Sequence, residues 1–167
     1  MIYRMASVLS SAWDALRPAN PVDVMVDAAT QESQCYGEVN WQQVSDVCDV
    51  VNSRDDGAKE AMRAIRRRLR VKHVAVQLRT LLLTQAMFDN CGAKFRVQLA
   101  AKDTIKDLDK LYTSPATDPI VRVKLYESLQ AWSAVLQHEP GMLAIPNLLA
   151  KWSQSSRLFL LLPCYSM

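Results

Sequence analysis

The chain has 167 residues, of which 50% are hydrophobic and 22% are charged, and its formal net charge is +3. This length suits one domain with a substantial core, and the composition excludes a disordered acidic chain. No stretch approaches the roughly 18 consecutive apolar residues of a membrane span. The mild positive charge permits an acidic partner but does not indicate nucleic acid.

Residues 1–17 predict a short amphipathic helix. Apolar residues recur there at helical spacing: Met5, Val8, Leu9, Ala12, Trp13 and Leu16. Three serines interrupt the apolar centre, which argues against a secretory signal. Two interpretations of residues 1–19 remain: a helix or arm packed on the domain, or a membrane-surface or targeting helix.

Helix starts are marked by capping residues. Asn20-Pro21 and Asp118-Pro119 each combine an N-cap residue with proline at the first helical position. Asn40 followed by Gln43 predicts a capping box. The polar residues 31–39 are expected to form a loop. The helix after Asn40 is expected to bury a stripe of Trp41, Val44, Val47, Cys48 and Val51.

The segment Gly57–Asn90 predicts two helices joined by a short basic link. The first carries one apolar stripe, whereas the second, from Val74 to Asn90, is apolar on more than one side. A helix of that kind must be covered on more than one side, so we expect it to be central.

The remaining chain predicts further helices with short connections. Asn90-Cys91-Gly92 is a stop signal, a long helix is expected from Asp118 to about His138, and a last helix over 142–152. We therefore predict an all-α fold, a right-handed superhelix of about eight helices, over residues 20–153. Residues 154–167 predict an irregular tail, either a strand or arm covering a groove or an artefactual end where the natural chain would have continued.

Signals for catalysis are absent from the sequence. The two histidines, His73 and His138, belong to no H-x-x-x-H motif, and there is no G-x-S-x-G motif or Gly-rich phosphate loop. The four cysteines form no C-x-x-C unit, and Cys48 and Cys91 lie within apolar patterns typical of buried free thiols. We expect a non-catalytic protein without cofactor or metal.

Five fragments, in this order, resemble the VHS domain family across roughly residues 20–153. They are W-x-x-V-x-D-V-C-D-V-V-N from Trp41, G-A-K-E-A-M-R-A-I-R-R-R-L from Gly57, Q-L-R-T-L from Gln77, N-C-G-x-x-F from Asn90 and K-L-Y-E-S-L-Q-A-W from Lys124. The combination of R-A-I-R-R-R-L, Q-L-R and T-D-P-x-V-R-x-K-L, the last from Thr117, is most similar to fungal VHS–GAT endocytic adaptors, in which a GAT domain normally follows.

The resemblance implies an eight-helix superhelix and a non-catalytic adaptor in endocytic or endosomal protein trafficking. It implies a cytoplasmic location, peripheral to endosomes or cortical endocytic sites. The implied partners are ubiquitin or ubiquitinated cargo, endocytic and actin-assembly proteins, and anionic phosphoinositide membranes, but no nucleic acid. A second function is a phosphoinositide-binding peripheral membrane module like the related ENTH and ANTH domains, although their Lys/His signature has no match here. A third is a structural fragment of a longer adaptor.

The resemblance implies a ubiquitin site at Trp41, Val44 and Ser45. In ubiquitin-binding VHS domains, this Trp and a large apolar residue one turn later form an apolar patch. Ser45 occupies that second position here, which removes about 1–2 kcal/mol of apolar contact. The alternative is that Trp41 closes the start of its helix against the core.

Two groups of basic residues are candidate binding sites. The basic stretch consists of Arg63, Arg66, Arg67, Arg70 and Lys72, and it is expected to bind an acidic lipid or partner. Lys102, Lys106 and Lys110, four residues apart, are expected along a sorting-peptide groove between helix six and helix seven or eight, as one VHS subgroup uses. The alternative for both groups is a solvated helix face.

Overall fold

The computed structural model describes residues 20–31 and 40–160, with side chains to residue 154. These ranges contain eight α-helices and no β-strand. The helices are α1 (Pro21–Ala29), α2 (Trp41–Ser53), α3 (Gly57–Leu69), α4 (Val74–Asn90), α5 (Gly92–Leu99), α6 (Lys102–Thr113), α7 (Pro119–Leu136) and α8 (Ala144–Leu160). Most helices pack against those one or two positions away in the chain, and α4 also contacts α7. The predicted all-α superhelix is confirmed. The predicted N-terminal helix and most of the 31–39 loop lie outside the described residues.

Three predicted helix starts are confirmed by their capping bonds. The Asn20 side chain accepts from the Val22 amide at 2.9 Å, and the Asp118 carboxylate accepts from the Ile120 amide at 2.9 Å. The Asn40 side chain accepts from two amides at the start of α2, at 3.1 and 3.2 Å. Each bond satisfies a backbone donor that the first turn of a helix leaves without a partner.

Two glycines shape the turns around the central helices. Gly57 opens α3 directly beneath α2, where an added Cβ would lie 2.2 Å from the Val51 carbonyl oxygen. Gly92 follows α4 with φ +66°, the left-handed conformation that the stop signal predicts. The chain can therefore reverse direction within a few residues at both places.

The central position predicted for α4 is confirmed. It packs against α2, α3, α5 and α7. Leu81, Leu83 and Met87 are at most 1% exposed. The Thr80 and Thr84 hydroxyls are buried too, but each donates to the carbonyl four residues earlier, so the buried polar groups are satisfied.

The last helix closes the far end of the core through α6. The Asp109 carboxylate accepts from the Trp152 indole at 2.9 Å and from the Lys151 ammonium at 2.6 Å. The Tyr112 ring stacks on Trp152 with centroids 3.9 Å apart. The face of α6 that includes Asp109 and Tyr112 is therefore occupied by α8.

Two predictions about these elements are wrong. Helix α8 continues to Leu160, so the first part of the predicted irregular tail is helical; after Pro146 no proline or glycine occurs before Pro163 to end the helix. Trp41 does not belong to the buried stripe of α2, since it is 65% exposed. Periodicity gives the direction of a side chain, but position 41 is the first residue of α2, and no described neighbour covers that end.

Candidate interaction surfaces

The outer face of α2 presents an exposed tryptophan. Trp41 and Ser45 both face solvent, whereas Val44 is 5% exposed and packs into the core. Beside them the Gln42 side chain donates to the Asp46 carboxylate at 2.9 Å. The alternative in which Trp41 closes the helix against the core is therefore wrong. Of the three predicted ubiquitin contacts, Trp41 and Ser45 are accessible to a partner.

Most of the basic stretch forms ion pairs within the domain. Two of its arginines, Arg63 and Arg67, pair with carboxylates of α1. The Arg67 guanidinium lies 2.8 Å from the Asp27 carboxylate and 3.6 Å from that of Asp23, and Arg63 lies 3.4 Å from Asp23. The hydrogen bond to Asp27 raises the pKa of Arg67 above its ordinary value. These arginines attach α1 to α3.

The other side of α3 pairs with α6. The Asp107 carboxylate accepts from Arg66 Nε at 2.6 Å and from the Arg70 guanidinium at 2.7 Å. Asp103 lies 3.8 Å from Arg66 but its side chain is 76% exposed. Burial acts to raise the pKa of Asp107, but the hydrogen bonds and charges of the two arginines outweigh it and hold that pKa below its ordinary value.

Lys72 of the basic stretch lines the same groove as two of the three lysines that the sequence predicts there. The turn between α3 and α4, the exposed side of α6 and the start of α7 enclose a groove of about 1040 Å³. Lys72, Lys106 and Lys110 line it, and none of them makes an ion pair with a described residue. Lys102 lines a separate depression of about 570 Å³ beside Arg63. The structure therefore brings together parts of two candidate sites that the sequence keeps apart.

The observed groove lies beside helix six and the start of helix seven, which is one of the two places that the sequence predicts, and not beside helix eight. Lys106 and Lys110 lie on the side of α6 that faces α3, α4 and the start of α7, whereas the side facing α8 carries Asp109 and Tyr112. Sequence reasoning also missed Arg122, which lines the groove and donates to the Thr117 carbonyl at 2.8 Å.

The described cysteines are structural. Cys48 and Cys91 are free and buried, as the sequence predicts. Hydrogen bonding between the Cys91 and Cys48 thiols, together with burial, raises the pKa of Cys91 far above its ordinary value. Because the thiolate is the nucleophile, Cys91 is not suited to covalent catalysis. No cluster of metal-ligating side chains occurs among the described residues, nor does any described helix have the length and apolar character to span a membrane.

The VHS domain model matches residues 17–155. The chain is 34% identical over 124 residues to class E vacuolar protein-sorting machinery protein HSE1 of Phaeosphaeria nodorum, covering 74% of this chain and 20% of the relative. It is 29% identical over 136 residues to vacuolar protein sorting-associated protein 27 of Yarrowia lipolytica, covering 81% and 24%. It is 38% identical over 128 residues to TOM1-like protein 7 of Arabidopsis thaliana, covering 77% and 23%.

Among solved structures, the VHS and FYVE tandem domains of Hrs superimpose with a TM-score of 0.72 at 22% identity, covering 84% of this chain and 63% of that one. This likeness shows the fold. The chain spans about a fifth to a quarter of the length of the curated relatives named above. The family match covers most of the chain and agrees with the eight observed helices. The chain therefore belongs to the VHS domain family and is a non-catalytic domain.

Proposed function

We propose that this chain is the VHS module of an endosomal sorting adaptor, peripheral to endosomes, and that the outer face of α2 binds ubiquitin or ubiquitinated cargo through Trp41. The sorting role is supported by the names of the relatives, two of which are vacuolar protein-sorting proteins. A link to endocytic and actin-assembly proteins rests on the resemblance to fungal VHS–GAT adaptors alone.

The observation that carries the ubiquitin proposal is the 65% exposure of Trp41. Burying a tryptophan at an interface removes a large apolar area from water, and tryptophan is enriched among residues that dominate binding energies. The core of α2 is already complete beneath it, with Val44, Val47 and Val51 at most 5% exposed. Trp41 therefore has little part in the core, and its apolar surface is available to a partner.

Ser45 makes this interaction weak. It lies one turn after Trp41 and offers little apolar surface to ubiquitin. A leucine there would add about 1–2 kcal/mol of apolar contact if half to fully buried on binding. That energy corresponds to an affinity increase of roughly fivefold to thirtyfold.

An NMR titration of the labelled domain with ubiquitin tests the proposal. Ubiquitin is added to about 1 mM because the contact is small. We expect shifts at Trp41, Ser45 and Asp49, loss of binding in Trp41→Ala, and tighter binding in Ser45→Leu. Val97→Ala is the matched control, since Val97 is 51% exposed on α5 and is expected to change nothing. Absence of shifts along α2, or equal effects of the two alanine variants, would reject the ubiquitin site.

The membrane-module function has less support. Arg63, Arg66 and Arg67 make ion pairs within the domain, which reduces the charge they offer to anionic headgroups. Its other support, the amphipathic segment 1–17, lies outside the described residues. Phosphoinositide binding by the basic stretch thus stays a prediction from the sequence.

A further inference from the structure

We propose that the amphipathic segment 1–17 forms a helix that packs antiparallel against the outer side of α1, with Trp13 over Val24. This surface lies on a different helix from Trp41, and the inference does not rest on ubiquitin binding. The exposed side of α1, the apolar pattern of the segment and the short link between the two support it.

The charged side chains of α1 are already paired with the domain. Asp23 and Asp27, the only charged residues of α1, lie 3.4 and 2.8 Å from arginines of α3. The side of α1 towards the core is filled by two valines that are at most 1% exposed. One side of α1 therefore remains, and it faces neither the core nor α3.

This outer side of α1 is apolar along its whole length. It consists of Pro21, Val24, Met25 and Ala28. Val24 is 51% exposed, and only Met25 is half-buried. A helix that is apolar on more than one side must be covered on more than one side. The same reasoning predicts the central position of α4, which the structure confirms, whereas no described helix covers the outer side of α1.

The segment that precedes α1 has the complementary pattern. Its apolar side consists of Met5, Val8, Leu9, Ala12, Trp13 and Leu16, and its charged residues lie off that side. An isolated helix of about 15 residues is only marginally stable in water. The segment therefore needs an apolar surface on which to become a stable helix.

The link between the segment and α1 favours an antiparallel hairpin. Pro18 disfavours the helical conformation at Arg17, so the first helix is expected to end there. Asn20 caps α1 from an extended backbone. Residues 17–20 thus form a short connection, of the length that joins antiparallel neighbouring helices.

Such a hairpin brings the two apolar sides into register. Residues at equal distances from the centre of the link face each other, which pairs Leu16 with Pro21, Trp13 with Val24 and Leu9 with Ala28. Large side chains of the segment then lie over smaller side chains of α1. As a helix the segment is about 25 Å long and α1 is about 14 Å long. The segment is therefore long enough to cover α1 completely.

Hydrogen–deuterium exchange of the full chain tests the proposal. We expect the amides of residues 5–16 to exchange at least about tenfold more slowly than those of an unfolded chain. Val24→Asp places a charge beneath Trp13 and should remove this protection, whereas Val24→Leu should keep it. Nuclear Overhauser contacts between the Trp13 indole and the Val24 methyl groups are expected in the wild type.

A matched control separates docking from a general loss of stability. Val97 is also 51% exposed but lies on α5, which packs on α3, α4 and α6. Val97→Asp should leave the exchange of residues 5–16 unchanged. Both valines are exposed, so both aspartate variants should fold, which circular dichroism checks.

A second pair of variants tests the contact from the segment. Trp13→Ser should remove the protection of residues 5–16. Tyr3→Ser also removes an aromatic side chain, but Tyr3 lies off the apolar side of the segment, so this variant should keep the protection.

Four outcomes would overturn the proposal. The first is unprotected amides over residues 5–16 in the wild type, and the second is equal loss of protection in Val24→Asp and Val97→Asp. The third is protection only after anionic vesicles are added, which would make the segment a membrane-surface helix. The fourth is protection that falls on dilution, which would make the partner of α1 the segment of a second copy.

Discussion

Asp107 connects α6 to α3, and replacing it by asparagine tests how far the arginines of the basic stretch serve the fold. The carboxylate side chain is 17% exposed and lies 2.6 Å from Arg66 Nε and 2.7 Å from the Arg70 guanidinium. Asparagine keeps the size and one acceptor oxygen but removes the charge. Asp107→Asn therefore weakens both bonds without opening a cavity.

The expected cost follows from the exposure of each partner. Arg66 is 25% exposed, and a charge-assisted hydrogen bond in such a place contributes about 1.5–3 kcal/mol. Arg70 is 62% exposed, so solvent screening limits its pair to about 0.2–1 kcal/mol. Since asparagine retains part of the bonding, we expect Asp107→Asn to lower the free energy of unfolding by about 2 kcal/mol at neutral pH. The melting temperature should fall by about 4–8 °C.

Urea unfolding followed by circular dichroism measures this loss, and Asp103→Asn is the matched control. Asp103 lies on the same helix, one turn away, but is 76% exposed and 3.8 Å from Arg66. Its replacement should change stability by less than about 0.5 kcal/mol. Equal effects of the two substitutions would refute the reasoning that the short, shielded ion pairs of Asp107 stabilise the fold more than the long, exposed pair of Asp103. A double-mutant cycle with Arg66→Gln should give a coupling of about 1 kcal/mol or more.

The acid range provides a second readout for Asp107. Its pKa is lower in the folded than in the unfolded state, so the unfolded state binds the proton more readily and stability falls as pH falls. The difference between wild type and Asp107→Asn should be constant above about pH 5 and shrink as pH falls through the folded pKa of Asp107. A difference that stays constant down to about pH 2 would contradict the assignment.

The remaining predictions concern the turns and the α6–α8 contact. Gly57→Ala should destabilise by about 2–3 kcal/mol because its Cβ would overlap the Val51 carbonyl, at 2.2 Å. An added Cβ at Gly92 would have no atom within 4 Å, but the φ of +66° is unfavourable for alanine, so Gly92→Ala should cost about 1 kcal/mol in the same urea assay. A larger loss of stability in Gly92→Ala than in Gly57→Ala would contradict the geometry. Trp152→Phe keeps the ring stack but removes the 2.9 Å bond to Asp109 and should cost about 2 kcal/mol, measured by thermal unfolding. A melting temperature equal to that of the wild type would show that this bond does not stabilise the fold.

The helix boundaries were predictable from the sequence where they depend on local chemistry. Asn20, Asn40 and Asp118 cap helices through bonds to amides two or three residues away, and Gly92 ends α4 by its own conformation. Asp56 shows the limit even of local signals, since it occupies the N-cap position of α3 without a side-chain bond.

The candidate sites were less predictable because they depend on distant residues. Trp41 occupies a stripe position, and only the reach of the neighbouring helices determines that it is exposed. Lys72 and Lys106 are 34 positions apart in the chain, so no sequence spacing indicates that they share a groove. One signal was available: Asp103 and Asp107 form an acidic i,i+4 pair that complements the arginines of α3, which indicates a contact but not its partner.

Arginine and lysine have different roles in this domain: the arginines of α3 connect helices, whereas Lys72, Lys106 and Lys110 stay exposed to solvent. The arginines of α3 make short hydrogen bonds to carboxylates or carbonyls on α1 and α6, where a planar guanidinium can hold two acceptors at once. Lys72, Lys106 and Lys110 stand on the rim of the groove, where a flexible, hydrated ammonium group loses little by remaining in water. Replacing an α3 arginine therefore changes stability first, whereas replacing a rim lysine changes only what the surface attracts. For that reason we expect substitutions at Lys72, Lys106 and Lys110, and not in the longer run of arginines, to change the charge of the surface while the fold is preserved.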